Sequence, residues 1–272
     1  MRRQRLDQAI VERGILPSRT SAVDAIEARR VLVGGSLATK ASRQVSAADP
    51  IVLTGESPRF VSRGGAKLQM AIDSFDVNVT GRSCVDAGSA TGGFTDCLLQ
   101  SGASRVLAID VGYGQLHERL RQDSRVVSLE RTNIRDVDRE LAAANLQPSP
   151  PPSLVVADLS FTSVRPLAQG LVEIAGPEGE LIILCKPQFE VGRVVAAKGK
   201  GVVRNRSDRH GALLDVIGAL QASGTVIMGI VSSPILGPAG NAEFLVHASL
   251  AGENGATESM VERALDQAEA IE

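Results

Sequence analysis

Apolar residues from about position 84 onward fall into two alternating patterns. Continuous apolar runs at 84–87, 106–110, 126–129, 154–158, 181–185, 225–232 and 244–250 read as strands. Between them, apolar residues recur every three or four positions. Those segments, at 115–122, 137–144, 164–175, 207–222 and 257–270, read as helices. A further helix follows the first strand, with Phe94, Cys97, Leu98 and Leu99 apolar. Strands alternating with helices predict a doubly wound, mainly parallel α/β sheet.

The first sixty residues are patterned differently. A short helix at 6–13 (Leu6, Ala9, Ile10, Val11) is stopped by Gly14, and Pro17-Ser18 opens a second at 19–30. Val31-Leu32-Val33, a Gly34-Gly35 turn and short strands to Leu53 follow. Breaker-rich residues 54–61 connect this small α+β module to a helix at 62–75, whose Leu68, Ala71, Ile72 and Phe75 share one face. Residues 148–152 form a proline-rich loop. Residues 188–206 read as a long loop, with Arg193, Lys198, Lys200, Arg204 and Arg206.

Charge supports the division. Residues 1–60 carry ten Lys and Arg against six Asp and Glu, whereas the remainder carries 19 against 25. That asymmetry suggests a basic N-terminal module attached to a near-neutral catalytic body. No apolar run reaches about 18 residues, so no transmembrane helix is expected. Met1-Arg2-Arg3-Gln4-Arg5 lacks the apolar core of a signal peptide. Cys84, Cys97 and Cys185 lie in apolar segments and read as reduced core thiols of a cytoplasmic protein. His117, His210 and His247 show no metal-ligand spacing.

Candidate chemistry centres on Asp86-Ala87-Gly88-Ser89-Ala90-Thr91-Gly92-Gly93-Phe94-Thr95, a glycine-rich turn between strand and helix. Its glycines let the backbone approach a ligand, and its helix N–H groups are expected to face an anionic group. The next strand ends in Asp110, where a cofactor ribose offers two hydroxyls. A dinucleotide site wants Gly-x-Gly-x-x-Gly. Here the spacing is Asp-x-Gly-x-x-x-Gly-Gly, and Asp86 would repel a pyrophosphate but not a sulfonium. S-adenosylmethionine is favoured over NAD; an α/β turn without a ligand is the alternative on this stretch alone. Asn133 sits in a turn that could hydrogen-bond an adenine.

Polar residues collect at the carboxyl edge of the sheet. Asp158 and Lys186 end strands, and Glu243 starts the last one, which meets the same edge if it is antiparallel. Lys67 joins them from the helix at 62–75. Taken one at a time, four solvated charges are the commoner case.

Asp86-Ala87-Gly88…Gly92-Gly93-Phe94-Thr95, Asp158-Leu159-Ser160-Phe161, Lys186-Pro187-Gln188-Phe189-Glu190 and Gly240-Asn241-Ala242-Glu243-Phe244 resemble the FtsJ-like RNA 2'-O-methyltransferases. The pattern Arg5-Leu6-Asp7…Gly14…Ser18-Arg19…Val31-Leu32-Val33-Gly34-Gly35 resembles the RNA-binding module of ribosomal protein S4. With Ser62-Arg63-Gly64-Gly65-Ala66-Lys67-Leu68 between them, the whole resembles the TlyA family. That resemblance implies a Rossmann-like class I methyltransferase, with a seven-stranded sheet whose last strand is antiparallel, over residues 63–272. A linker at 59–62 and an S4-like domain at 1–58 precede it.

It also implies methylation of a cytidine ribose 2'-hydroxyl in ribosomal RNA. Lys67, Asp158, Lys186 and Glu243 would be the catalytic tetrad. Asp86, Gly88, Gly92, Gly93, Phe94, Asp110, Asn133 and Asp158 would bind S-adenosylmethionine. Arg5, Arg19, Arg29, Arg30, Arg63, Arg193, Lys198 and Lys200 would contact RNA. Ribosomal subunits would be the partners of a cytoplasmic monomer without metal or membrane. The chemistry agrees: a ribose hydroxyl is a very weak acid, so a base must take its proton as the methyl arrives. A lysine does this only if lowered from about 10.4, which a neighbouring lysine and burial would favour. Three other readings stand beside it: an inactive ribosome-assembly factor, a membrane-lytic protein and a base methyltransferase.

Overall fold

The computed structural model describes residues 3–16, 18–55, 58–192, 195, 197, 199–253 and 255–271. Pro17, the linker residues Glu56 and Ser57, and the expected RNA contacts Arg193 and Lys198 lie outside them. The chain forms two compact units, Met1–Arg63 and Gly64–Glu272.

The first unit contains β1 (Gln4–Arg5), α1 (Leu6–Glu12), α2 (Arg19–Glu27), β2 (Val31–Val33), β3 (Ser36–Leu37), β4 (Gln44–Val45) and β5 (Ile51–Leu53). β1 pairs antiparallel with β4, and β3-β2-β5 form an antiparallel sheet. Gly34 and Gly35 both adopt positive φ (59° and 78°), the conformation a two-residue hairpin with native twist requires. Leu6, Ile10, Ile26, Val31 and Val45 fill a core between the helices and strands. α2 ends at Glu27 rather than residue 30. Arg29 turns left-handed (φ 57°), and the Arg30 N–H folds back to the Ala25 carbonyl at 2.9 Å, which closes the helix.

The second unit runs α3 (Gly64–Phe75), β6 (Ser83–Ala87), α4 (Gly93–Gln100), β7 (Arg105–Ile109), α5 (Glu118–Arg121), β8 (Val126–Leu129) and α6 (Arg139–Asn145). It continues with β9 (Leu154–Ala157), α7 (Ala168–Ala175), β10 (Glu180–Cys185), α8 (Pro187–Glu190) and α9 (Arg206–Ala222). β11 (Val226–Ser232), β12 (Phe244–Ser249) and α10 (Thr257–Glu269) complete it. Seven strands form one sheet in the order β11-β12-β10-β9-β6-β7-β8. β9, β6, β7, β8 and β10 are parallel, and β12 runs antiparallel to both its neighbours.

Successive strand residues point to opposite faces. On one face, Val85, Leu107, Val155, Ile183, Phe244 and Val246 join a core with residues of α6, α7, α9 and α10. The intervening residues face α3 and α4. His247 of β12, for example, stacks on Phe75 of α3 with ring centroids 5.3 Å apart. Buried faces on both sides explain the near-continuous apolar runs of the sequence.

Two expected elements are shorter than their periodicity. The helix at 115–122 forms only over Glu118–Arg121, because the His117 ring accepts the Arg119 N–H at 3.2 Å and caps it there. The loop at 188–206 is shortened at its start by α8, in which Pro187 takes the first helical position, where a missing N–H costs nothing.

Candidate active site

The antiparallel direction of β12 builds the site. Cys185 of β10 lies opposite Phe244 of β12. The next residue of each chain segment, Lys186 and Glu243, therefore falls just beyond the last pair, at one edge. Strand alternation puts both on the side of α3, because Cys185 and Phe244 belong to the opposite core. Asp158 follows Ala157, also of that core, and takes the same side. Lys67 on α3 meets them from above and forms an ion pair with Glu243. Lys186 Nζ lies 2.5 Å from Asp158 Oδ1 and donates to Ser160 Oγ at 2.9 Å. Lys67 and Lys186 are 7% and 8% exposed, and Glu243 is 1% exposed. Charges this buried need partners, and each lysine has its own carboxylate. The described contacts thus set each ammonium against a carboxylate.

Beside Asp158 opens a cavity of about 530 Å³, lined in part by Gly88, Asp110, Asn133 and Asp158. Four of the eight residues expected to bind cofactor therefore line it. Ile109, Val111, Ile134 and Leu167 give it apolar walls. Asp110 organises the rim: its Oδ2 accepts the Ala90 N–H at 2.9 Å and its Oδ1 the Gly112 N–H at 2.7 Å. Asn133 Oδ1 accepts the Arg135 N–H, fixing the side chain at the start of a 3₁₀ turn. Gly88 has φ 83°, and a Cβ there would come 2.7 Å from the Asp158 carbonyl oxygen.

The other four expected residues lie behind the cavity. Asp86 is fully buried; its carboxylate accepts the Thr95 hydroxyl at 2.6 Å and a hydrogen bond from the Thr95 backbone, tying β6 to the first turn of α4. Its Oδ1 has no hydrogen-bond partner among the described residues. Burial pushes its pKa up to about 7; the Thr95 bonds oppose the shift, and the charges of Asp158 and Asp110 add to it. Gly92 (φ 92°) leaves no room for a Cβ, which would lie 2.8 Å from Leu116 and closer still to Leu120. Gly93 and Phe94 are buried in the first turn of α4.

Four amides of the glycine turn are bonded within the fold. The Gly88 and Ser89 N–H groups bond to the Ile109 carbonyl, Ala90 to Asp110, and Gly92 to the Ser89 carbonyl. With these four amides satisfied internally and three carboxylates nearby, this side of the site suits a cation and a diol. This donor set fits S-adenosylmethionine: Asp110 would take the ribose hydroxyls, the apolar walls and Asn133 the adenine, and Asp158 with the buried Asp86 would face the cationic end.

Phe161 was not singled out for a role in the sequence. It is 92% exposed at the cavity rim, and its backbone is left-handed (φ 62°), which costs a bulky residue about 1–2 kcal/mol. Its ring lies 5.5 Å from that of Phe189, which follows Lys186 by three residues. An exposed aromatic in a strained conformation points to function; its only sequence signal was its place within Asp158-Leu159-Ser160-Phe161.

The arginines expected to bind RNA are placed unevenly. Arg5 and Arg19 both contact the buried Asp7, at 3.0 and 2.8 Å, and the Asp7 carboxyl is held down at about 2; burial opposes that shift, and these hydrogen bonds and charges outweigh it. Arg30 donates to the Thr54 carbonyl at 3.1 Å, and Arg63 pairs with Glu27 at 3.2 Å. Arg29 and Lys200 are exposed, and Lys200 has φ 52°. The fold brings His210 next to Glu258 and Glu262, a group the sequence spacing hid. Glu262 is already paired with Arg206 at 2.6 Å.

The sheet order, its one antiparallel strand and a cavity suited to a sulfonium nucleoside define a Rossmann-like methyltransferase. Residues 60–250 match the FtsJ-like methyltransferase model and residues 4–51 the S4 domain model. The chain belongs to the TlyA family of FtsJ-like methyltransferases, and S-adenosylmethionine is its cofactor. It is 42% identical over 246 residues to the 16S/23S rRNA (cytidine-2'-O)-methyltransferase TlyA of Mycobacterium tuberculosis, covering 90% of this chain and 89% of that one. It is 31% identical to the 23S rRNA (cytidine-2'-O)-methyltransferase TlyA of Campylobacter jejuni, over 69% of this chain and 70% of that one. A solved structure described as a putative hemolysin from Streptococcus thermophilus superposes with a TM-score of 0.78 at 33% identity, covering 100% of this chain and 97% of that one. Among the described residues no helix is long and apolar enough to cross a membrane.

Proposed function

We propose that this protein methylates the ribose 2'-hydroxyl of cytidine in ribosomal RNA. The observation that carries the proposal is the Lys186–Asp158 pair at the cavity rim, with the Lys67–Glu243 pair beside it. S-adenosylmethionine supplies an electrophilic methyl group on a sulfonium. Lys186 first passes its ammonium proton to Asp158 Oδ1, 2.5 Å away, and the neutral amine, held at the rim by Ser160, then takes the hydroxyl proton on Nζ as the methyl leaves the sulfonium. Asp158 and Ser160 orient it, and Lys67 and Glu243 fix the neighbouring substrate position as a neutral pair. Phe161 offers its exposed ring to the base of a nucleotide drawn out of its helix, since ribose chemistry in folded RNA requires the target to leave its stack.

The S4 unit adds affinity through phosphate contacts, with Arg29 and Arg19 among its exposed cations and Arg5 partly exposed. Higher identity and coverage with the relative named for 16S and 23S rRNA favour action on both subunits. A substrate of this kind is met in the cytoplasm. The test is incubation with radiolabelled S-adenosylmethionine and unmodified small and large subunits separately, followed by mapping of the label. Label on a cytidine 2'-oxygen in both is expected. Label on a base, or none on either subunit despite cofactor binding, would overturn the proposal.

A further inference from the structure

The motif Lys186-Pro187-Gln188-Phe189-Glu190 ends in a carboxylate that the chemistry above leaves unused. Glu190 is 2% exposed. It accepts the Ser163 hydroxyl and the Val164 N–H, the latter at 2.9 Å. Arg165 closes the arrangement. Its Nη2 donates to the Glu190 carbonyl at 3.1 Å, its Nε lies 3.5 Å from Glu190 Oε2, and its Nη1 reaches Asp215 of α9 at 3.0 Å. The bonds to Glu190 join the turn that begins with Lys186 to the loop that carries Asp158, Ser160 and Phe161.

The placement is specific. Lys186 and Glu190 are the two ends of one tight turn, held by Phe189 N–H to the Lys186 carbonyl and Val191 N–H to the Pro187 carbonyl, both at 2.9 Å. Ser163 comes two residues after Phe161. The carboxylate therefore grips the loop immediately beyond the strained residue, while the other end of the same turn presents the amine to Ser160. A left-handed phenylalanine persists only where surrounding bonds over-determine it. Glu190 supplies such bonds, and it is buried among them without a second role.

We propose that Glu190 is a positioning residue. It clamps the Phe161 loop to the Lys186 turn, so that the base platform and the proton acceptor keep a fixed separation. This rests on the reading of Phe161 as that platform. An amide does not replace the carboxylate: in Glu190→Gln the oxygen keeps the Val164 N–H, but the NH2 then faces the Ser163 hydroxyl, whose oxygen already accepts from the Arg165 N–H and Nε, both at 3.2 Å.

The experiment is a double-mutant cycle on the full-length protein, with Glu190→Gln, Phe161→Ala and the two combined. Single-turnover methyl transfer to ribosomal subunits is read beside cofactor affinity, RNA affinity and thermal melting. Glu190→Gln is expected to keep cofactor and RNA affinity within about threefold and to slow transfer by about tenfold or more, the scale of a small misplacement. In the Phe161→Ala background the same change is expected to alter the rate by less than about twofold. If Glu190→Gln melts early, Ser163→Ala serves in its place, with a smaller loss and the same dependence on Phe161. A loss of equal size in both backgrounds, or transfer at the wild-type rate, overturns the role of Glu190. A wild-type rate for Phe161→Ala alone overturns the platform on which it rests.

Discussion

Lys186 and Glu243 stand just beyond the Cys185–Phe244 pair, on adjacent antiparallel strands of one sheet. That relationship sets a basic and an acidic residue side by side at the edge where the parallel strands end. It also brings in Lys67, because Glu243 is the carboxylate that Lys67 pairs with. Removing one partner of a buried pair leaves the other charge uncompensated, at about 3–5 kcal/mol. Glu243→Ala should therefore lower the denaturant midpoint strongly. Combining it with Lys67→Ala should restore much of the stability without restoring methyl transfer. Additive losses in the double variant would show that the two charges do not depend on one another.

Asp86 gives cofactor binding a pH dependence. Its buried carboxyl titrates near 7, and a sulfonium nearby favours the ionised form. Binding should then release a proton, and affinity for S-adenosylmethionine should strengthen as pH rises from about 6 to 8. S-adenosylhomocysteine lacks the sulfonium charge, so the difference between the two ligands isolates the effect. Calorimetry across this range, showing the same pH dependence for both, would contradict the assignment.

Gly88 is expected to tolerate no side chain. Alanine there would meet the Asp158 carbonyl at 2.7 Å and would also hold a left-handed backbone, at about 1–2 kcal/mol. Gly88→Ala should weaken cofactor binding by about tenfold or more while leaving RNA binding by the S4 unit unchanged. Equal cofactor affinity would place the ligand away from this turn.

Far from the site, Glu180 accepts from His247 at 2.8 Å and from Arg82 at 2.7 Å. The His247 bond, with Arg82 and against the cost of burial, holds its carboxyl at about 2. A carboxyl depressed in the fold stabilises above its unfolded value of about 4.3 and loses that contribution as pH falls towards 2. Glu180→Gln should flatten the acid limb of the stability curve in that window and lower stability at neutral pH. Identical acid limbs would show the contacts to be energetically neutral.

The sheet was legible because both its faces are buried: runs such as Leu181–Cys185 are apolar throughout, and no helix pattern competes with them. The meeting of Asp158, Lys186 and Glu243 at one edge was legible from their places at strand ends, once the last strand was taken as antiparallel. What stayed hidden depended on long-range bonds. The amides of the glycine turn looked free in the sequence, yet the Ile109 carbonyl and the Asp110 carboxylate claim three of them. Phe161 reads as one more apolar residue; only its exposure and left-handed backbone set it apart. Glu190 reads as a loop charge until the fold buries it against Ser163 and Val164.

The proposed chemistry rests above all on Lys186 as acceptor of the 2'-hydroxyl proton. Single-turnover methyl transfer by Lys186→Ala, on subunits that wild-type protein methylates, tests it most directly. Loss of a positioned base should slow transfer by about 100- to 10,000-fold, with cofactor and RNA affinity nearly unchanged. Transfer near the wild-type rate, with both ligands bound, would contradict it and move the base elsewhere in the site.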